Sequence, residues 1–318
     1  MNRMNTMDFH CDTLTMLKPE QESFEKNTHM VDLERLEKAE VRVQCCAAFV
    51  PTGRFSQEER DQKSMEEFLR IRSVWDSVLK QYPDRVLPVQ YVEDMEQCFR
   101  EKKTGLLLTI EDGGVCGAEL SNVQKVFDLG VRLITLTWNY ENAFAYPNGS
   151  QGGLKPLGIE AVEEMNRLGI LVDVSHLSDD GFWDVRKYSK RPFLASHSNA
   201  RAVTGHQRNL TDEMIRAIGE AGGIIGLNFA PGFLGEDEQS RVSDMVRHVL
   251  HLREKGGSEV LALGSDFDGI RGKLEIDGPD KFVLLWEALH KAGLSATELE
   301  GMWHGNGERI LREVLPHR

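Results

Sequence analysis

The stretch LGVRLITLT, residues 129–137, places a glycine directly before an apolar run that is rich in branched residues. Glycine at this position can take the left-handed backbone conformation that ends a helix. The run that follows is typical of a strand whose two faces are both covered. The stretch LGILVDVS, residues 168–175, repeats the same order. A helix that ends on glycine just before a buried strand is a βα repeat, so both stretches predict a parallel sheet.

Runs of this kind recur along the chain of 318 residues, and helical patterns separate most of them. The eight runs are residues 7–9, 41–49, 105–110, 131–137, 170–175, 192–196, 223–229 and 260–265. Eight βα units predict an α/β fold of the closed (β/α)8 type, the TIM barrel. An open doubly wound sheet is the alternative, because the long connection from 49 to 105 holds a further possible strand at 85–89. Pro88 would restrict that strand to an edge or a loop.

Composition limits the class of protein. We expect a single barrel domain over residues 1–318, with the segment after Leu294 packed on it as a helix, because no tract resembles a linker. The net charge of −13 argues against nucleic-acid binding. Residues 1–6 lack the apolar core of a signal peptide, and no stretch reaches the roughly eighteen apolar residues of a membrane span. We therefore predict a cytoplasmic protein with no membrane contact. Its five cysteines lack C-x-x-C spacing, which favours reduced thiols.

Histidines and carboxylates follow the predicted strands at the points where those strands end. These residues are His10, Asp12, Glu111, His176, His197 and Asp266. The carboxyl ends of barrel strands form the rim on which active sites are built. We therefore expect these side chains to converge.

The pair His10 and Asp12 indicates a metal site. Side chains two residues apart in a strand point to the same side, so both face one point while Cys11 faces away. Imidazole and carboxylate ligands suit zinc. Together with His176 and His197 there are enough ligands for two Zn²⁺ ions about 3.5–4 Å apart, and Glu111 is the natural bridge between them.

Other catalytic schemes lack their motifs. Without a G-x-S-x-G turn, Ser196 and Ser198 are poor candidates for a nucleophile. H-E-x-x-H, P-loop and dinucleotide-binding motifs are absent from the sequence, which excludes those enzyme classes. His248 and His251 are predicted to lie on a solvated helix face beside two arginines.

Seven segments together resemble the membrane or renal dipeptidases, peptidase family M19, and most closely a soluble bacterial member. The segments are DFHCD (8–12), TIEDGG (109–114), GVRLITLTWN (130–139), DVSHLS (173–178), ASHSNARAV (195–203), HQRNLTDEMI (206–215) and LGSDFDGI (263–270). The resemblance implies an amidohydrolase-like barrel with two zinc ions per chain. One zinc would be held by His10, Asp12 and Glu111, and the other by Glu111, His176 and His197.

The resemblance also implies a homodimer and substrate roles for Arg208 and Asp266. Animal members carry a histidine at the position of Trp138, where it is associated with contact to the substrate or the transition state. Trp138 would line the substrate site here, and Asn139, Tyr140 or a metal ion would take over the oxyanion contact.

The resulting hypothesis is a zinc dipeptidase that accepts dipeptides, including those with a C-terminal D-residue. Glu111 would bridge the two ions, and Asp266 would transfer the proton from water to the leaving amine. Arg208 would bind the substrate carboxylate through two parallel hydrogen bonds, and Asp268 would assist. The alternatives are another amide hydrolase, such as an N-acyl amino acid deacylase or a β-lactam hydrolase, and a catalytically silent binding module.

Overall fold

The computed structural model describes residues 4–318, so the first three residues of the segment predicted to lack a signal peptide lie outside it. Its strands are Thr6–Cys11 (β1), Val41–Phe49 (β2), Val86–Pro88 (β3), Thr104–Glu111 (β4), Leu133–Thr135 (β5), Leu171–Asp173 (β6), Ile225–Leu227 (β7), Gln239–Ser240 (β8), Leu261–Leu263 (β9) and Lys273–Leu274 (β10).

Most of these strands form a closed parallel barrel, while β8 and β10 pair only with each other. Seven of them pair in the order β6-β5-β4-β2-β1-β9-β7. Residues 194 and 195 close the ring, since Leu194 pairs with Asp173 in β6 and Ala195 pairs with Ile225 in β7. The predicted (β/α)8 barrel is therefore confirmed, and the open doubly wound sheet is wrong.

Helices surround the barrel and fill its connections. Their bounds are Thr13–Met16 (α1), Leu33–Lys38 (α2), Arg60–Gln81 (α3), Val92–Glu101 (α4), Ser121–Asp128 (α5), Pro156–Leu168 (α6), Asp179–Tyr188 (α7), Asp212–Glu220 (α8), Pro231–Leu234 (α9), Val242–Gly256 (α10), Phe282–Lys291 (α11), Ala296–Glu300 (α12) and Asn306–Val314 (α13). Gly169 ends α6 in the left-handed conformation at φ 83°, as predicted. Within residues 4–318, no helix combines the length and apolar character that crossing a bilayer requires.

The extra strand β3 lies beside the first half of β4, where Val86 pairs with Thr104 and Pro88 with Leu106. The second half of β4 pairs with β5 instead. Pro88 ends β3 and has no N–H to donate, which agrees with the edge position predicted for it.

Two layers of core hold the barrel. The larger layer lies between strands and helices, and the smaller one contains the strand residues Leu107, Leu133 and Leu171. Met95 of α4 and Leu311 of α13 belong to the smaller layer. These leucines precede Glu111, Thr135 and Asp173 by two or four positions and share their side of the strand. Helices α4 and α13 therefore close the barrel at the end opposite the strand carboxyl termini.

Candidate metal centre

The six polar residues predicted at the strand ends meet at the carboxyl edge of the barrel. His10, Asp12, Glu111, His176 and His197 are buried, and Asp266 is partly buried. The site opens into a cleft of about 880 Å³. Residues more than 250 positions apart along the chain are thus neighbours because the barrel closes between β9 and β1.

Glu111 stands at the centre and uses its two oxygens in different directions. Oε1 lies 3.1 Å from His176 Nε2 and 3.5 Å from His197 Nε2. Oε2 lies 3.5 Å from His10 Nε2. One carboxylate therefore faces two separate groups of donor atoms.

The second group surrounds His10. Its Nε2 atom lies 3.4 Å from Asp12 Oδ2 and 3.9 Å from Asp266 Oδ1. Within residues 4–318, His10 Nδ1 and Asp12 Oδ1 are buried and have no hydrogen-bond partner. Buried polar atoms without partners are uncommon in proteins, and a bound cation would satisfy them.

Outer hydrogen bonds orient the two remaining imidazoles. His176 Nδ1 lies 2.9 Å from Asn139 Oδ1, which can only accept, so the ring hydrogen is on Nδ1. His197 Nδ1 lies 2.7 Å from Ser196 Oγ. The Nε2 atoms of the two rings lie 3.1 Å apart and both face Glu111.

The electrostatics of the cluster suit a cation. Burial, together with the nearby Arg208, lowers the pKa of His176 to about 4, so its ring is neutral. Burial also lowers the pKa of His197 well below its usual range. Burial opposes the ionisation of Glu111, but His10 and the other two imidazoles hold the pKa of Glu111 well below its ordinary value.

These residues fit divalent metal ions. The Nε2 atoms of two imidazoles and one carboxylate oxygen converge at this point, and zinc is bound by nitrogen and oxygen atoms of these residue types. The ligand atoms of His10, Glu111 and His197 all lie within 4.8 Å of one another, as do those of His10, Asp12 and Asp266.

Asp266 is held at the cleft by an unusual backbone. Its φ of 62° is in the left-handed region, as is the φ of 65° at His176. Asn228 Nδ2 donates to Asp266 Oδ2 at 2.9 Å. Burial raises the pKa of Asp266 to about 7, and the neighbouring Asp12 adds to the effect of burial. A Cβ on Gly269 would lie 2.2 Å from Asp12 Oδ2, so this turn requires glycine.

Arg208 is buried, with its charge only partly satisfied. One nitrogen donates to Ser198 Oγ at 2.8 Å, while Nε and the second terminal nitrogen have no hydrogen-bond partner within the described chain. Burial lowers the pKa of Arg208 to about 10. A guanidinium with two free donors matches the two oxygens of a carboxylate.

Trp138 forms one wall of the cleft. Its ring packs edge-on against Phe49 at 4.9 Å and lies 5.5 Å from the ring of Tyr140. The ring of His176 is 6.3 Å away. The side chain is partly exposed to the cleft and can contact a bound molecule.

Comparison with known proteins assigns the family. The family model described as Membrane dipeptidase (Peptidase family M19) matches residues 1–317. The chain belongs to peptidase family M19. The resemblance predicted from the sequence segments is confirmed.

Relatives and solved structures agree with this membership. Dipeptidase tcpJ of Claviceps purpurea is 30% identical over 293 residues, which are 89% of this chain and 69% of that protein. The crystal structure of the M19 metallopeptidase dipeptidase AC has a TM-score of 0.91 at 26% identity and covers 99% of both chains. A Rhodobacter sphaeroides metallopeptidase with a phosphinate mimic of L-Ala-D-Ala has a TM-score of 0.91 at 25% identity, covering 98% of this chain and all of that one. This M19 protein is a metallodipeptidase.

Several site residues of this dipeptidase escaped the sequence analysis. Asp8, Asp173 and Asn228 touch the site or the serines beside it. Asn139, named above only for the oxyanion contact, also bonds His176. The two aspartates did leave a signal, since an acid inside a buried strand needs partners. Asn228 lies directly after β7 and left none.

The prediction for His248 is wrong. His248 is fully buried, accepts from Ala200 N at 3.1 Å and lies 3.1 Å from the carbonyl of Leu234. His251 is partly buried and bonds Asp212 at 2.7 Å. The five cysteines, all inside the described range, are buried free thiols.

Proposed function

We propose that this metallodipeptidase uses two Zn²⁺ ions, one held by His10, Asp12 and Glu111 and the other by Glu111, His176 and His197. The observation that carries the proposal is the position of Glu111, whose two oxygens face the two donor groups separately. When bound, such a pair of ions supplies an acidic water and polarises the peptide carbonyl.

Asp266 is proposed as the residue that moves the proton. It lies at the mouth of the site, 3.9 Å from His10 Nε2, and Asn228 fixes one of its oxygens. The free oxygen can accept the proton of the attacking water and deliver it to the leaving amine. Glu111 has both oxygens directed at the metal ligands, which leaves the proton transfer to Asp266.

Arg208 is proposed to bind the C-terminal carboxylate of the substrate. A buried guanidinium whose donors are unpaired is stabilised when a carboxylate accepts from it. This contact selects the peptide bond next to the C-terminal carboxylate, which in a dipeptide is the scissile bond.

Trp138 is proposed to contact the N-terminal residue of the substrate. It lies with Phe49 along the same cleft that contains Glu111 and His176. The amide oxygen of Asn139 accepts from His176 and from Asn148, which orients the His176 ring. We assign the oxyanion contact to the metal site, whose ions would polarise the peptide carbonyl.

The class of substrate includes dipeptides with a C-terminal D-residue. The Rhodobacter sphaeroides relative was crystallised with a phosphinate mimic of L-Ala-D-Ala, and this chain is similar to it over nearly its whole length. The homodimer, the single-domain organisation and the cytoplasmic location remain predictions from the sequence.

A turnover panel tests the function. Purified protein loaded with zinc is assayed on L-Ala-L-Ala, L-Ala-D-Ala, N-acetyl-L-alanine and a β-lactam, before and after chelation. We expect hydrolysis of the dipeptides, its loss on chelation and its return with zinc. Turnover of the acyl amino acid or the β-lactam alone would assign the barrel to a different amide hydrolase. Inactivity on every substrate with zinc bound would favour the silent binding module.

A further inference from the structure

Two aspartates beneath the metal centre each hold one serine in the same way. Asp8 accepts from the backbone N–H of Ser265 at 2.8 Å and from its hydroxyl at 2.6 Å. Asp173 accepts from the backbone N–H of Ser196 at 2.8 Å and from its hydroxyl at 2.6 Å. All four residues are buried. We call the pairs the Asp8–Ser265 clamp and the Asp173–Ser196 clamp.

The Asp173–Ser196 clamp reaches the ring of His197. Ser196 Oγ lies 2.6 Å from Asp173 Oδ2 and 2.7 Å from His197 Nδ1. Asp173 also accepts from the hydroxyl of Thr135 and from the N–H of Ser175. It is therefore the acceptor in each of these hydrogen bonds.

The position of each hydrogen follows. The one hydroxyl hydrogen of Ser196 points to Asp173, so Ser196 Oγ must accept from His197. The hydrogen of the His197 ring is then on Nδ1, and the lone pair is on Nε2. That Nε2 atom faces Glu111 Oε1 at 3.5 Å.

The Asp8–Ser265 clamp lacks this contact. On the side of the metal centre, Ser265 Oγ lies 3.2 Å from the backbone oxygen of His10. His10 Nδ1 itself has no hydrogen-bond partner within residues 4–318. The two clamps thus match in geometry and burial, but only the Asp173–Ser196 clamp fixes the tautomer of a proposed ligand.

We propose that Ser196 and Asp173 are positioning residues for one of the two metal ions. Through the Nδ1–H of His197 they direct its Nε2 lone pair to the ion shared with His176 and Glu111. The inference rests on the two-zinc site of the proposed function. Mutation of a residue that hydrogen-bonds a metal-bound histidine typically lowers metal affinity or activity by roughly 10- to 100-fold.

Zinc titration of the metal-free full chain tests this, with Ser265→Ala as the matched control for Ser196→Ala. Each substitution removes one hydroxyl from a buried aspartate, so both should lower the melting temperature of the metal-free chain. We expect Ser196→Ala to weaken the binding of one of the two zinc ions by roughly 10- to 100-fold and to leave the affinity for the other unchanged. Ser265→Ala should keep both affinities.

A second pair of variants covers a failure of Ser196→Ala to fold. Asp173→Asn allows the Ser196 hydroxyl to donate to His197 and moves the ring hydrogen to Nε2, whereas Asp8→Asn leaves the ring as it is. Nitrogen-15 NMR of histidine in the metal-free protein reports the tautomer directly. We expect Nδ1–H on His197 in the wild type and in Asp8→Asn, and a shift toward Nε2–H in Asp173→Asn.

The outcomes separate the two claims. Equal zinc affinities for the two serine variants, or an Nε2–H tautomer in the wild type, would overturn the positioning role. A wild-type chain that binds fewer than two zinc ions would contradict the proposed function itself.

Discussion

Asp266 combines a left-handed backbone with a carboxylate fixed by Asn228, two features that aim one oxygen at the cleft. We expect Asp266→Asn to lower kcat by roughly 10²- to 10⁴-fold, because an amide cannot accept the proton. Zinc content, measured by mass spectrometry, should stay the same. Asp268→Asn is the comparison: Asp268 was predicted only to assist and bonds Thr13 and the backbone of Met30, so we expect the smaller loss there. Equal losses in the two variants would remove Asp266 from its proton-transfer role.

The role proposed for Arg208 is tested by comparing substrates with and without a C-terminal carboxylate. We expect Arg208→Met to reduce kcat/KM for a dipeptide by roughly 10- to 100-fold, since hydrogen bonds to charged groups are worth about 1.5–3 kcal/mol. Turnover of the corresponding dipeptide amide, which lacks the carboxylate, should change little. Arg201→Met is the matched variant, because Arg201 lies nearby and pairs with Asp179. An equal loss of kcat/KM on the dipeptide and on its amide would show that Arg208 has only a structural role.

At the scale of elements, α10 carries a buried histidine that links the segment at Ala200 to the end of α9. His248 accepts from Ala200 and lies 3.1 Å from the Leu234 carbonyl, and burial lowers its pKa to about 4. Its charged neighbours are Arg247 and His251, which favour the neutral ring, and Asp244, which opposes them. The ring must stay neutral in the folded chain.

Stability should therefore fall with acid. The unfolded chain binds the proton with a pKa of about 6.5, so this contribution is present above that pH and is lost as the pH falls toward 4. The loss amounts to about 3 kcal/mol. His248→Gln should flatten the decline in unfolding free energy between those pH values, measured by urea denaturation. A wild-type slope in His248→Gln would contradict the assignment.

Helix α13 closes the lower end of the barrel, where Leu311 is fully buried among strand leucines. We expect Leu311→Ala to lower the free energy of unfolding by about 2–5 kcal/mol, because the substitution leaves a cavity. Leu284→Ala, at a residue 42% exposed, should change it by about 0.5 kcal/mol or less. Similar effects in the two variants would mean that α13 does not seal the barrel.

Some elements were predictable because local pattern and position agree. The glycine at 169 ended a helix before a buried run, and β6 begins two residues later. The run 192–196 joins the barrel through single bridges at Leu194 and Ala195, so its strand is shorter than the apolar pattern suggested. His248 was misplaced because the arginine next to it indicates solvent, while the packing of α10 on its neighbours decides its burial.

For the whole molecule, barrel closure explains why the site could be anticipated. Residues at the strand carboxyl ends must meet once the ring closes, so His10 and His197 become neighbours with ring centroids 3.9 Å apart. Hydrogen-bond directions do not follow from this rule. The link from Asp173 through Ser196 to His197 depends on side-chain geometry that no spacing encodes.

The central claim is that one carboxylate, Glu111, is shared by two metal ions. Anomalous diffraction at the zinc edge, from crystals grown with zinc, tests it most directly. We predict two peaks about 3.5–4 Å apart, one at each oxygen of Glu111. A single peak, or two peaks of which one lies away from Glu111, would contradict the claim.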